Sequence, residues 1–185
     1  MSYTTKMFNR KLNMTTLNAS QYKEFKELEK NGFIKLNLPF PSAMREAISI
    51  SDWSSVDQLI YEYLSNQGYL REVLDKCHPF LYTEHIIALR DAKTDEDGIW
   101  HDDGSRHFAF TWSMNDDDTL QGGELLFRKK TCKNDTLTIP APPSETLIIF
   151  LTGEFGYEHK VNKVTKGIRK TIAGWCSTTP PLIFT

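Results

Sequence analysis

The sequence predicts an α+β fold that is mainly β: a jelly roll, or double-stranded β-helix, flanked by N-terminal helices. Three observations carry this. In the first part of the chain apolar residues recur at helical spacing; from Glu84 onward they fall in short runs rich in β-branched and aromatic residues; and those runs are separated by polar or Gly/Pro-rich turns. Helices beside two facing antiparallel sheets are the economical way to bury such a pattern, and a jelly roll leaves room for a ligand between its sheets.

The elements follow in order. Ser20 is placed to cap a helix over Ser20 to Lys30, with Tyr22, Phe25 and Leu28 on one face and Asn31-Gly32 as its stop. Phe33 to Leu38 reads as a short strand, and Pro39 to Pro41 breaks it before a second helix capped by Ser42. Ser55 and Gln58 form a capping-box pattern ahead of Val56, Leu59, Ile60, Tyr63 and Leu64, a run that Gly68 ends. A shorter helix is expected over Tyr69 to Lys76. Seven strands are then expected: Glu84 to Arg90, Arg106 to Met114, Gly123 to Arg128, Thr136 to Ile139, Thr146 to Leu151, Glu158 to Val161 and Arg169 to Cys176. Their turns include Asp95 to Gly98, Asn115 to Asp118 and Pro140 to Ser144. One domain is expected over 1–185, with helical support from about 19 to 77 and a jelly-roll core from about 81 to 178.

Composition excludes several classes. A formal net charge of −2 and pI near 6.2 give no global basic field, so neither nucleic acid nor an anionic membrane is an expected partner. No stretch approaches the roughly 20 apolar residues that cross a bilayer, and Met1 to Thr16 lacks the apolar segment of a secretion signal. A cytoplasmic protein is expected. Cys77, Cys132 and Cys176 are widely spaced and form no C-x-x-C pair, so they are expected as buried thiols rather than as a disulfide framework or zinc site.

The chemistry concentrates in four residues. His101 and Asp103 are two apart, so on extended backbone both side chains point to one face. With His159 they supply two imidazoles and one carboxylate, the set that holds non-haem Fe(II) in a facial triad with open positions. Alone, His-x-Asp is a pattern that arises often by chance. Arg169 follows His159, and the Lys166-Gly167 turn signal between two extended runs predicts that the two sit on neighbouring strands of a hairpin. A guanidinium beside a metal suits the far carboxylate of a dicarboxylate cosubstrate.

Three segments, Trp100-His101-Asp102-Asp103-Gly104, then Gln121-Gly122-Gly123-Glu124-Leu125-Leu126-Phe127, then His159 through Arg169 to Gly174-Trp175, resemble the Fe(II)/2-oxoglutarate-dependent dioxygenases, and within them the prolyl 4-hydroxylase-like branch. The resemblance covers about the C-terminal half. It implies that His101, Asp103 and His159 bind Fe(II), that Arg169 holds the distal carboxylate of 2-oxoglutarate, that O2 is consumed, and that ascorbate serves as a supporting reductant. A hydroxyl donor normally assists that carboxylate; Ser113, Thr111 and Thr171 are the candidates, Ser113 foremost. Where the family often places tyrosines, this chain has Arg90, Asp91 and Ser113. Trp175 shares a strand face with Arg169 and either walls the cosubstrate pocket or is plain core. His107 and Arg106 either meet substrate or form a solvated strand edge. Gly122-Gly123 are architectural, and His78 and His85 structural. Asp95, Glu96 and Asp97 read as a solvated loop, or as a mobile lid facing a basic or peptide substrate.

The implied activity is hydroxylation of a prolyl residue in a peptide or protein, with 2-oxoglutarate decarboxylated to succinate. Related halogenating enzymes replace the carboxylate ligand by a small residue, so Asp103 argues for hydroxylation. A free amino acid or small metabolite stays open as substrate, as does a non-catalytic metal- or 2-oxoglutarate-binding module. A cupin-like metal enzyme without 2-oxoglutarate would leave Arg169 unexplained.

Overall fold

A computed structural model describes residues 23–180. The expected cap Ser20 and the apolar Tyr22 lie outside the described residues. Helix α1 (Lys23–Asn31) leads into strand β1 (Phe33–Asn37), followed by α2 (Ser42–Ser49), α3 (Trp53–Leu64) and α4 (Tyr69–Leu74). The strands are β2 (Tyr82–Asp91), β3 (Phe108–Ser113), β4 (Gln121–Gly122), β5 (Leu125–Lys129), β6 (Leu137–Ile139), β7 (Thr146–Leu151), β8 (Tyr157–Val161), β9 (Val164–Lys166) and β10 (Ile168–Ser177). None of the described helices is long and apolar enough to cross a membrane.

The fold is α+β and mainly β, with a jelly-roll core. A five-stranded sheet in the order β1-β7-β3-β10-β2 faces a three-stranded sheet β6-β5-β8, and β4 pairs with β9 at one end. All pairings are antiparallel. β7 sits inside the large sheet with both faces covered, which is why Thr146 is followed by five consecutive apolar residues and all six are buried. On β3, Trp112 turns toward the helices, where its Nε1 donates to the Leu38 carbonyl at 3.0 Å and its ring packs on Phe40 with centroids 4.4 Å apart. Enclosing a large side chain of this kind contributes about 1.5–3 kcal/mol. α3 is tied to β2 by His85 Nε2 and Asp57 Oδ1, 2.9 Å apart, which fits the structural role expected of His85.

Several local expectations are corrected. Ser42 is the first residue of α2, not its cap: Pro41 holds that position with no side-chain bond. α3 begins earlier than the Ser55/Gln58 pattern suggests because Asp52 is the cap, accepting from the Ser55 amide (3.1 Å) and hydroxyl (2.7 Å). It ends at Leu64 with Ser65, and Gly68 instead begins α4. Cys77 and Cys176 are buried, whereas Cys132 is exposed. From Glu84 onward seven strands were expected; the structure adds β4 and β9, too short for an alternating pattern to register.

The hairpin expectation also fails. β8, with His159, pairs with β5 in the small sheet, while β10, with Arg169, pairs with β2 and β3 in the large one. Between them β9 turns aside to pair with β4. His159 and Arg169 therefore belong to opposite walls of the jelly roll.

Candidate metal centre

The triad is assembled by backbone pairing. His101 and His159 form an isolated antiparallel bridge, each amide donating to the other's carbonyl (3.0 and 2.8 Å). Directly paired residues emerge on the same side, which sets the two imidazole centroids 4.3 Å apart. Asp103 reaches them through a turn with φ of 59° at Asp103 and 63° at Gly104. A left-handed non-glycine is strained and persists where its surroundings fix it. Here Arg106 donates to the Asp103 carbonyl (3.1 Å) and is itself held by Glu84 (2.8 Å). From beneath, the Gly153 amide donates to the Asp102 carbonyl at 2.5 Å.

One ligand atom from each of His101, Asp103 and His159 lies within 4.8 Å of the other two. Each Nε2 stands 3.6 Å from a different Asp103 oxygen, too long for a good hydrogen bond. His101 Nδ1 donates to the Ile99 carbonyl at 2.9 Å, which leaves Nε2 with a lone pair facing inward. Burial, then the neighbouring His101, pushes the His159 pKa down to about 3, so this imidazole is neutral at physiological pH, the form a metal ligand needs. Burial raises the Asp103 pKa, opposed by His101 and by the Trp175 indole, which donates toward the carboxylate. Such a charge is tolerable only with a cation beside it.

The triad opens into a cavity of about 160 Å³ between the sheets. His101, His159, Arg169, Thr171, Trp175 and Thr111 all line it. Its apolar walls come from both sheets, with Ile86 and Phe150 on one side and Leu125 and Val161 on the other. Arg169 is buried and Gly123 makes room for it: a Cβ there would fall 2.7 Å from the Arg169 Cδ, which gives the architectural glycine a definite task. Burial, then the nearby Arg90, lowers the Arg169 pKa to about 10, so it remains cationic near neutrality.

Ser113 is not brought to this cavity. Its hydroxyl donates to the Pro142 carbonyl (2.7 Å) and accepts from the Asn115 amide (3.2 Å), so it fastens a loop instead. Thr171 and Thr111 are the hydroxyls that line the cavity. His107 is buried away from it, near Thr178 (2.8 Å) and stacked on His78. Asp95 and Asp97 are not a loose solvated loop: Asp95 accepts from Arg90 and the Val164 amide (both 2.7 Å), and Asp97 accepts from the Lys163 amide (2.8 Å). Sequence reasoning placed Arg90 where the family often has a tyrosine but gave it no part in the site, although its even spacing from Ala88 and Ile86 puts it on the cavity face.

A model of the 2OG-Fe(II) oxygenase superfamily matches residues 82–177, about half of the chain. The chain belongs to that superfamily. It is a dioxygenase enzyme, and membership implies Fe(II), 2-oxoglutarate and O2 as the requirements of its reaction. Solved structures share the oxygenase fold: a prolyl-4-hydroxylase from Pseudomonas putida (TM-score 0.62, 16% identity, 94% of this chain and 99% of that one) and a 2OG-Fe(II) oxygenase family oxidoreductase from Burkholderia pseudomallei (0.60, 12%, 91% and 95%). A third is a prolyl hydroxylase from Trichoplax adhaerens in complex with a peptide fragment of the hypoxia inducible factor oxygen degradation domain (0.52, 16%, 88% and 94%). No curated protein matches the sequence.

The residues fit what the oxygenases require. Asp103 Oδ2, His159 Nδ1, Arg169 Nε and Thr171 Oγ1 are buried with no hydrogen-bond partner in the protein. Orphaned groups of this kind are costly unless a ligand satisfies them. A divalent cation would answer the carboxylate at one end of the cavity, and an anion the guanidinium and hydroxyl at the other.

Proposed function

We propose that this oxygenase hydroxylates a prolyl residue in a peptide or protein, with His101, Asp103 and His159 holding Fe(II) and Arg169 holding the distal carboxylate of 2-oxoglutarate. The observation that carries the proposal is the convergence of His101, His159, Arg169 and Thr171 on one cavity, with Asp103 clustered against the two histidines. When bound, Fe(II) with 2-oxoglutarate and O2 supplies the oxidant, and decarboxylation of the cosubstrate yields succinate. The protein's own part is positional and electrostatic. Asp103 brings the anionic charge, neutral His159 and the oriented Nε2 of His101 bring lone pairs, and Arg169 and Thr171 donate to the carboxylate. Phe150, Leu125 and Ile86 keep water from the space between.

The polypeptide substrate is supported by the mouth of the site. His101 is about half exposed in its side chain (46%) while Asp103 and His159 are enclosed (6 and 8%), so the triad opens outward on one side rather than into a sealed chamber. The exposed Ile99 lies beside that opening. Among the structural neighbours, the Trichoplax hydroxylase is itself a complex with a peptide.

The test is anaerobic addition of Fe(II) and then 2-oxoglutarate to the purified chain, followed by O2 and candidate substrates. The expected result is a weak visible charge-transfer band that is absent from His159→Ala, then succinate release stimulated by prolyl peptides. Stimulation by free amino acids alone would move the substrate to the small-molecule class. No band from folded protein would overturn the assignment of the site.

A further inference from the structure

The cosubstrate end of the cavity holds two arginines, not one. Arg90 and Arg169 are direct cross-strand partners in the β2/β10 register, so both side chains leave the same face of the sheet, and both line the cavity. Like charges placed directly opposite destabilise a sheet unless something offsets them.

The two are unequally engaged. Each Arg90 nitrogen has an acceptor: Nε donates to Asp95 Oδ1 (2.7 Å), one terminal nitrogen to the Glu96 carbonyl (2.6 Å) and the other to the Val161 carbonyl (3.4 Å). Arg169 keeps a buried Nε with no acceptor. Asp95 is nearly enclosed (9% exposed in its side chain) and its second oxygen accepts the Val164 amide at 2.7 Å, so it is fixed at both ends and cannot swing to Arg169. Two guanidiniums and one carboxylate leave a single positive charge, and it resides on the cation that has no partner.

We propose that Arg90 and Asp95 form a charge-setting pair for the cosubstrate site. Asp95 cancels Arg90, Arg90 occupies Asp95, and Arg169 is thereby left free to take one carboxylate. Arg90 is a positioning residue in this scheme, acting through Arg169. The inference rests on the functional reading above, because it takes the ligand at Arg169 to be the distal carboxylate of 2-oxoglutarate.

Removing Arg90 alone leaves a nearly enclosed Asp95 carboxylate, without its ion-pair partner, within electrostatic reach of Arg169. That internal anion then competes with the cosubstrate. Removing both charges restores the balance at the cost of the loop contacts. A merely structural role predicts the reverse, with the double variant as damaged as the single one or more so.

The experiment is an anaerobic titration of 2-oxoglutarate into the Mn(II)-loaded chain, read by calorimetry. Wild type is compared with Arg90→Met, Arg90→Lys, Asp95→Asn and the double variant Arg90→Met/Asp95→Asn, with Mn(II) affinity measured for each. The expected result is at least about a tenfold rise in Kd for Arg90→Met, with Arg90→Lys and the double variant within about threefold of wild type, Asp95→Asn binding at least as tightly as wild type, and Mn(II) affinity unchanged. 2-Oxopentanoate, which has the keto acid but no distal carboxylate, should bind Arg90→Met and wild type alike. Arg90→Met binding 2-oxoglutarate as wild type does would overturn the proposal, as would a double variant no better than Arg90→Met. A wild-type chain that takes Mn(II) but not 2-oxoglutarate would instead remove the functional reading, and this inference with it.

Discussion

Gly153 lies in no motif, yet its replacement by alanine is expected to disable the metal centre. A Cβ at Gly153 would fall 1.7 Å from the Gly104 carbonyl oxygen, 2.7 Å from the Gly104 carbonyl carbon and 2.8 Å from the Asp102 oxygen. Real Cβ atoms do not approach closer than 3.0 Å, so the two backbones must separate by at least about 1.3 Å, the difference between those distances. Neither side is a flexible side-chain end. One is the turn that carries Asp103, and the other is the 3-10 turn Gly153–Phe155 that leads into β8 and His159. The same separation breaks the bond from the Gly153 amide to the Asp102 carbonyl. Overpacking of this size costs about 1–3 kcal/mol of stability, and losing the support of a metal ligand costs about 10–100-fold in metal affinity. The assay is an anaerobic Fe(II) titration of Gly153→Ala beside a denaturant unfolding curve with Fe(II) absent. Fe(II) affinity within twofold of wild type, with unfolding unchanged, would refute the claim that this close approach sets the position of Asp103.

On the proposed reading Arg169→Ala removes a charge-assisted contact of about 1.5–3 kcal/mol, so the Kd for 2-oxoglutarate should rise about 10–100-fold while Fe(II) affinity is kept; titration of each ligand separates the two. Trp112→Phe retains an aromatic ring against Phe40 but leaves the buried Leu38 carbonyl unpaired, and denaturant unfolding should show a loss of about 1–3 kcal/mol with the metal site intact. The Asp52 cap gives a pH signature. The Ser55 hydroxyl, then the Ser55 amide, hold its folded pKa below 3.8, so its stabilisation is complete above that value and is lost as pH falls through the folded pKa. Asp52→Asn keeps a capping side chain but cannot titrate there, so its stability should fall less than that of wild type on acidification below pH 3.8, as measured by unfolding at a series of pH values.

The sequence was legible where the information is local. Thr146 to Leu151 is a strand with the expected ends because a run of β-branched and apolar residues needs cover on both faces. Arg169, Thr171 and Trp175 share a face by strand alternation, whereas Asp103 reaches His101 through a left-handed turn and not through the extended backbone its spacing suggested. What could not be read was which strands pair. Lys166-Gly167 is a genuine turn, but the residues before it belong to β9, whose partner is β4, and nothing in the period of Val164–Lys166 names Gln121–Gly122 as that partner. Ser113 shows the same limit at the scale of one hydroxyl: it satisfies the alternation rule, yet the Pro142 carbonyl claims it.

The correction of the hairpin changes what the site can do. Had His159 and Arg169 stood on adjacent strands, both would have belonged to one wall, and a cosubstrate spanning them would have lain flat along a single sheet. With His159 on β8 and Arg169 on β10, the two ends of the cavity belong to opposite sheets, and a ligand reaching from triad to guanidinium bridges them. Across this region Arg90 of β2 reaches the Val161 carbonyl of β8, while several of the groups facing the cavity are orphaned polar atoms. Filling the cavity therefore joins two halves of the core, and by mass action metal and 2-oxoglutarate together should raise resistance to unfolding by more than the metal alone. Thermal unfolding of wild type and Arg169→Ala under Mn(II), with and without 2-oxoglutarate, measures this directly. The extra increment should appear in wild type and disappear in the variant, and an equal increment in both would mean that the bridge between the sheets does not run through Arg169.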